Sequence, residues 1–125
     1  MIYRPLLGVT AIGACALGLL LLLAPKVYLT LYVPSYSADM AFAAQRLAPA
    51  VIGLAALLWI ARGLTAGAFS TQFTLIAACV WFGVAASGVF HFATGVATAN
   101  ILIAASLEVI LGLLFLLASR QMRNA

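Results

Sequence analysis

The sequence predicts an all-α polytopic membrane protein, an antiparallel four-transmembrane-helix bundle forming one domain over residues 1–125. Three observations lead there. The first is composition: 67% of the residues are hydrophobic and only 6% are charged, whereas a soluble domain carries about 25% charged residues to keep its surface in water. The second is that the apolar residues gather into four runs. A helix rises about 1.5 Å per residue, so crossing a ~30 Å hydrocarbon core takes about 20 mostly apolar residues. The third is that the basic residues stand singly between these runs. The net charge of +4 therefore reads as flanking charge that orients helices, because nucleic-acid binding needs basic residues gathered on one face.

The first predicted span is Leu6–Ala24, closed by Pro25 and Lys26. It resembles a secretory signal only at first sight, since its apolar run exceeds the usual h-region of about 7–15 residues. The lipoprotein-like Ile12-Gly13-Ala14-Cys15 is followed by further apolar sequence, so a retained span is expected. Cys15 and Cys79 both lie inside apolar runs and form no Cys-x-x-Cys pair, which reads as packing and not as redox or metal chemistry.

Residues 25–40 read PKVYLTLYVPSYSADM. Tyr28, Tyr32 and Tyr36 favour the headgroup zone, where an apolar ring and a polar hydroxyl are both satisfied. Pro34 interrupts any helix, so an interfacial loop is expected. The second span, about 41–61, is the weakest, because its uninterrupted apolar part is only Leu47–Ala61. Arg46 has to snorkel to the surface for that span to work. The third span is about 73–93. After a tight turn at 94–96 the fourth, about 97–119, completes a hairpin and is closed by Arg120.

Four spans leave both termini on one side. That side collects Arg4, Arg62, Arg120 and Arg123 against Lys26 and Arg46 on the other, so both termini are expected in the cytoplasm. Expected close contacts between helices use small residues: Thr10, Ala14 and Gly18; Gly83 and Ser87; Ala104 and Gly112.

Glu108 is the most informative polar residue. It falls about eleven residues from either end of the fourth span, hence near mid-depth. An ionised carboxylate there costs at least about 2.5 kcal/mol on insertion scales, so it needs a partner or stays protonated. Ala104 and Gly112 lie one turn either side of it, on a stripe with Ala97, Ile101, Phe115 and Ser119, which allows a helix or ligand to approach. Both a proton-carrying or ligand-binding carboxyl and a neutral acid acting as packing glue fit this pattern. His91, the only histidine, follows Gly83 and Ser87 at helical spacing. That stripe resembles the small-x-x-x-His pattern of pigment-binding helices in bacterial light-harvesting proteins, though a structural or interfacial histidine fits equally. Arg46 and Asn100 are expected near His91 at the outer ends of their spans. Glu108 lies beneath them, too deep for His91 to share its proton directly.

Small multidrug transporters carry their membrane carboxylate on the first helix, and the first span here has none. Eicosanoid and glutathione enzymes of this size need several polar residues on the second helix, where only Gln45 and Arg46 occur. Ala24-Pro25, Arg46 and Gly53…Trp59-x-x-Arg62 in the first half of the chain resemble the uncharacterised four-helix bacterial membrane proteins known only as domains of unknown function. That resemblance implies a bacterial inner membrane and no particular activity. No nucleophile–base pair, metal set or phosphate loop is present. The leading expectation is therefore a non-enzymatic accessory subunit or lipophile-binding protein, taking a lipid, quinone or pigment. Its expected partners are the bilayer and either copies of itself or a larger membrane complex. A small proton-coupled transporter using Glu108 is the alternative.

Overall fold

The computed structural model describes residues 1–125 and contains five helices: α1 (Tyr3–Leu23), α2 (Pro25–Tyr32), α3 (Ala38–Ala61), α4 (Ala68–Ala93) and α5 (Asn100–Asn124). All but α2 are long and apolar enough to cross a membrane, and α3 has the lowest mean hydropathy of the four, 1.6. This is the pattern of a multi-pass membrane protein.

The distribution of side chains agrees with that solvent. Only 23 of 125 residues are buried, and many of those are small: Ala48, Ala55, Ala78, Ala85 and Ala105. Large apolar side chains point outward, with Leu23, Ile60 and Ile103 each more than 70% exposed. In water this arrangement would waste most of the available hydrophobic stabilisation. In lipid it costs nothing, and small residues inside let backbones approach.

Proline sets the first boundaries. α1 stops at Leu23 because the residue before a proline avoids the helical region, and Ala24 has φ −142°. Pro25 then opens α2 at its first position, where its missing N–H costs nothing. α2 in turn ends at Val33, extended, immediately before Pro34. The expected loop over 25–40 is thus partly helical, and its last three residues belong to α3. Pro49 lies inside α3, leaving the Gln45 carbonyl without its usual helical donor. After α4 the chain turns at Gly95, whose φ of 78° is a conformation that suits glycine.

Packing resolves into two antiparallel pairs, α1 with α3 and α4 with α5. In the first, Gly18 of α1 abuts Ala48 and Ile52 of α3, while Gly8 lies under the Arg62 side chain at the other end. In the second, Gly112 lies under the Phe82 ring and Gly88 faces Ile101. The Ser119 hydroxyl donates to the Thr71 carbonyl at 3.1 Å.

The two pairs join chiefly at the end that carries the chain termini. There Tyr3, Leu6, Leu7, Leu58, Ala78, Phe115, Ala118 and Met122 form the core. The Tyr3 hydroxyl donates to the Ala61 carbonyl at 2.7 Å, and the Ile2 N–H donates to the Gln121 side chain at 3.0 Å. At the opposite end α2 provides the link: its last carbonyls are held from the α4–α5 turn. Thr98 donates its N–H to Tyr32 O at 2.8 Å and its hydroxyl to Leu31 O at 2.7 Å, and Asn100 Nδ2 reaches Leu31 O at 3.0 Å.

One expected contact is corrected. Gly83 and Ser87 are exposed, and a Cβ at Gly83 would meet nothing within 4 Å. The face of α4 turned towards α5 runs instead through Thr74, Ala78, Ala85 and Gly88. Gly83 lies two residues from Ala85, roughly 200° around the helix, and so faces outward.

Candidate functional site

Glu108 lies eight residues into α5 from Asn100, about 12 Å along the axis by helical rise. It is therefore nearer the α2 end than the sequence predicts, because α5 starts late and runs on to Asn124. On its stripe, Gly112, Phe115 and Ser119 are buried, whereas Ile101, Ala104 and Glu108 are half-buried. The covered face of α5 thus opens above Gly112. α2 lies nearby, and its Tyr28 feels Glu108 directly. Burial, then the neighbouring Tyr32, then the Glu108 charge push the Tyr28 phenol above its ordinary value. The Tyr28 and Tyr32 rings stack with centroids 4.9 Å apart.

Of the other three predicted site residues, His91 and Asn100 have separate partners. His91 Nδ1 donates to the Ser87 carbonyl one turn earlier at 2.7 Å, and the ring meets Phe90 edge-on at 5.5 Å. Asn100 serves the latch on α2. Arg46 is exposed on α3, a helix that packs on α1 and α2. Its neighbour Gln45 donates to the Leu22 carbonyl at 3.2 Å. Arg46, His91, Asn100 and Glu108 lie on three helices, α3, α4 and α5, and make no hydrogen bond with one another.

A different feature is built more completely. Where α1 and α3 meet at the terminus end, a groove of about 550 Å³ is lined by Arg4, Pro5, Gly8, Val9, Ile12, Trp59, Arg62 and Gly63. Ile12 and Trp59 are shared with a second hollow of about 300 Å³, lined otherwise by Ala11, Cys15, Ile52, Ala55 and Ala56, and entirely apolar. The two hollows are shallow, open to the surroundings and adjoin at Ile12 and Trp59, one with cationic lining and the other apolar, and are called the slot below, with the first as its mouth and the second as its trough. The Arg62 guanidinium lies 3.7 Å from the centroid of the Trp59 ring, a cation–π arrangement that holds the cation in place. The Arg62 side chain passes over Gly8, where a Cβ would stand at ordinary contact distance, 3.5 Å from Arg62 Cδ.

Half of this slot was visible in the sequence. Trp59-x-x-Arg62 and Arg4-x-x-x-Gly8 each put two residues on one helical face. What brings them together is the antiparallel pairing of α1 with α3, which no local pattern specifies. No family model, curated protein or solved structure matches the chain.

Proposed function

We propose that this is a small non-enzymatic integral membrane protein of the bacterial inner membrane that holds a lipophile in the slot between α1 and α3. In this reading the four apolar helices cross the bilayer as an antiparallel bundle, both termini are cytoplasmic, and the protein packs against copies of itself or the subunits of a larger complex. The single observation that carries it is the slot: a trough without polar lining, opening at a mouth with two arginines and a tryptophan. Lipids, quinones and pigments share that division into a long apolar body and a polar end, and such ligands are held mainly by apolar lining with a few fixed polar groups. Orientation is supported by the pairing, which gathers Arg4, Arg62, Arg120 and Arg123 at the terminus end and so satisfies the positive-inside rule.

Gentle purification followed by native mass spectrometry tests the proposal by reporting copies, partner subunits and bound lipophiles together. The wild type is expected to retain a lipophile. Ala56→Trp, at an exposed position on the trough wall, is expected to remove it while leaving the helices intact. A monomer free of lipophile removes the reading's support.

A proton-coupled transporter using Glu108 is favoured by one observation, the approach of Tyr28 of α2 to Glu108. Glu108→Gln would then abolish pH-dependent transport or ligand binding without unfolding the chain. Behaviour unchanged from about pH 5 to 9 excludes it.

A further inference from the structure

The slot's mouth has a charge that the chain itself does not balance. The protein contains two acidic residues, Asp39 and Glu108. Asp39 lies in the first turn of α3, 23 residues before Arg62 and so about 35 Å away along the same helix. Glu108 lies towards the α2 end of α5. Neither reaches Arg4 or Arg62. Arg4 and Arg62 line one groove with no acidic side chain beside them, so an anion there would meet two positive charges and no negative one.

We propose that the slot binds a net-negative glycerophospholipid from the leaflet at the terminus end, with its phosphate at Arg4 and Arg62 and one acyl chain in the trough. The assignment rests on the lipophile reading and narrows it. A quinone or a neutral pigment fits the trough but leaves both arginines without a counter-charge. A phosphate oxygen pair matches the guanidinium fork. Arg62 is already ordered on Trp59 and across Gly8, so less rotamer freedom is lost when it closes on a headgroup. Trp59 lines both the mouth and the trough, at the headgroup level where tryptophan is most stable. Ile12 and Ile52 on one helix each, with Ala55 and Ala56, then contact the chain that follows the headgroup.

The test uses the full chain in nanodiscs containing equal phosphatidylglycerol and phosphatidylcholine, released into native mass spectrometry. With about 1 kcal/mol for each of the two arginines near an anionic surface, the wild type is expected to retain phosphatidylglycerol roughly thirtyfold over phosphatidylcholine. Arg4→Gln with Arg62→Gln is expected to bring the two lipids near parity. Arg120→Gln with Arg123→Gln, at the same end but outside the slot, should keep the preference and so separates slot binding from general surface attraction. Circular dichroism checks that each variant keeps its helices. If the first double variant fails to fold, Arg62→Lys, which keeps the charge but loses the fork, is expected to reduce the preference severalfold, and an undiminished preference overturns the assignment. Inorganic phosphate is expected not to displace the lipid. Displacement by phosphate alone points to a soluble anion and overturns it. Parity in the wild type overturns the anionic assignment and leaves the lipophile reading standing, whereas retention of neither lipid removes both.

Discussion

Gly18 is the tightest point between α1 and α3, and Gly18→Ala puts a number on that contact. An added Cβ would sit 2.6 Å from Ile52 Cγ1, 3.1 Å from the Ile52 nitrogen and 3.3 Å from the Ala48 carbonyl oxygen. The isoleucine side chain can rotate away. The two backbone atoms cannot, so α1 and α3 must separate along the wall of the slot. Overpacking of this kind costs about 1–3 kcal/mol, offset by the about 0.8–1 kcal/mol that alanine gains over glycine in a helix. A net loss of about 0–2 kcal/mol is expected. Gly13→Ala is the internal control, because a Cβ there meets nothing within 4 Å, and it should keep the propensity gain. The two variants should therefore differ by about 2 kcal/mol, roughly thirtyfold in the unfolding equilibrium. Titration from mild detergent into dodecyl sulfate, followed by tryptophan fluorescence, measures the difference. Equal stability for the two alanine variants, or a more stable Gly18→Ala, refutes the close packing of α1 on α3.

Other consequences are smaller and local. Tyr3→Phe removes the buried hydroxyl that donates to Ala61 O. That carbonyl also accepts from the Leu64 N–H, so the same titration should show a loss near the low end for a hydrogen bond, about 0.5 kcal/mol. Thr98→Ala with Asn100→Ala removes both side-chain donors to Leu31 O. Amide exchange in α2 should then accelerate about tenfold, with α4 and α5 unaffected. Tyr28 in the folded protein holds its proton to higher pH than in the unfolded chain. Its contribution to stability is accordingly complete below the ordinary phenol value and is lost as pH rises above it. Tyr28→Phe should flatten the alkaline limb of a stability profile and remove a late step from the tyrosinate absorbance titration.

The elements were readable from the sequence because lipid imposes a simple rule: four apolar runs need four long helices to satisfy their backbone. Pro25 and Pro34 mark helix ends by local sterics alone. The short α2 was missed, since Lys-Val-Tyr-Leu-Thr-Leu-Tyr is too short for a span and mixes Leu with β-branched and aromatic residues of lower helix preference, and its C-terminal carbonyls are satisfied from residues 98 and 100, far along the chain. The polar residues are legible one by one, whereas how they sit relative to one another depends on helix pairing that no local pattern specifies. His91 satisfies itself on its own helix, and Arg46 sits on a helix paired with α1, while α4 pairs with α5. Which face of α4 turns inward was likewise ambiguous, because Gly83-Ser87 and Ala85-Gly88 offer two small-residue faces of similar quality. The choice between them comes from the fit of Gly88 to Ile101 and of Phe82 to Gly112.

The measurement closest to the central claim is sided labelling of single cysteines in sealed vesicles, with Cys15 and Cys79 replaced by serine. Reporters at Gly67 and Asn124 should react from one face with a membrane-impermeant maleimide, and reporters at Ser35 and Val96 only from the other. Reaction of Gly67 from the same face as Ser35, or of all four from both faces of intact vesicles, contradicts four crossings and with them the lipid-filled slot.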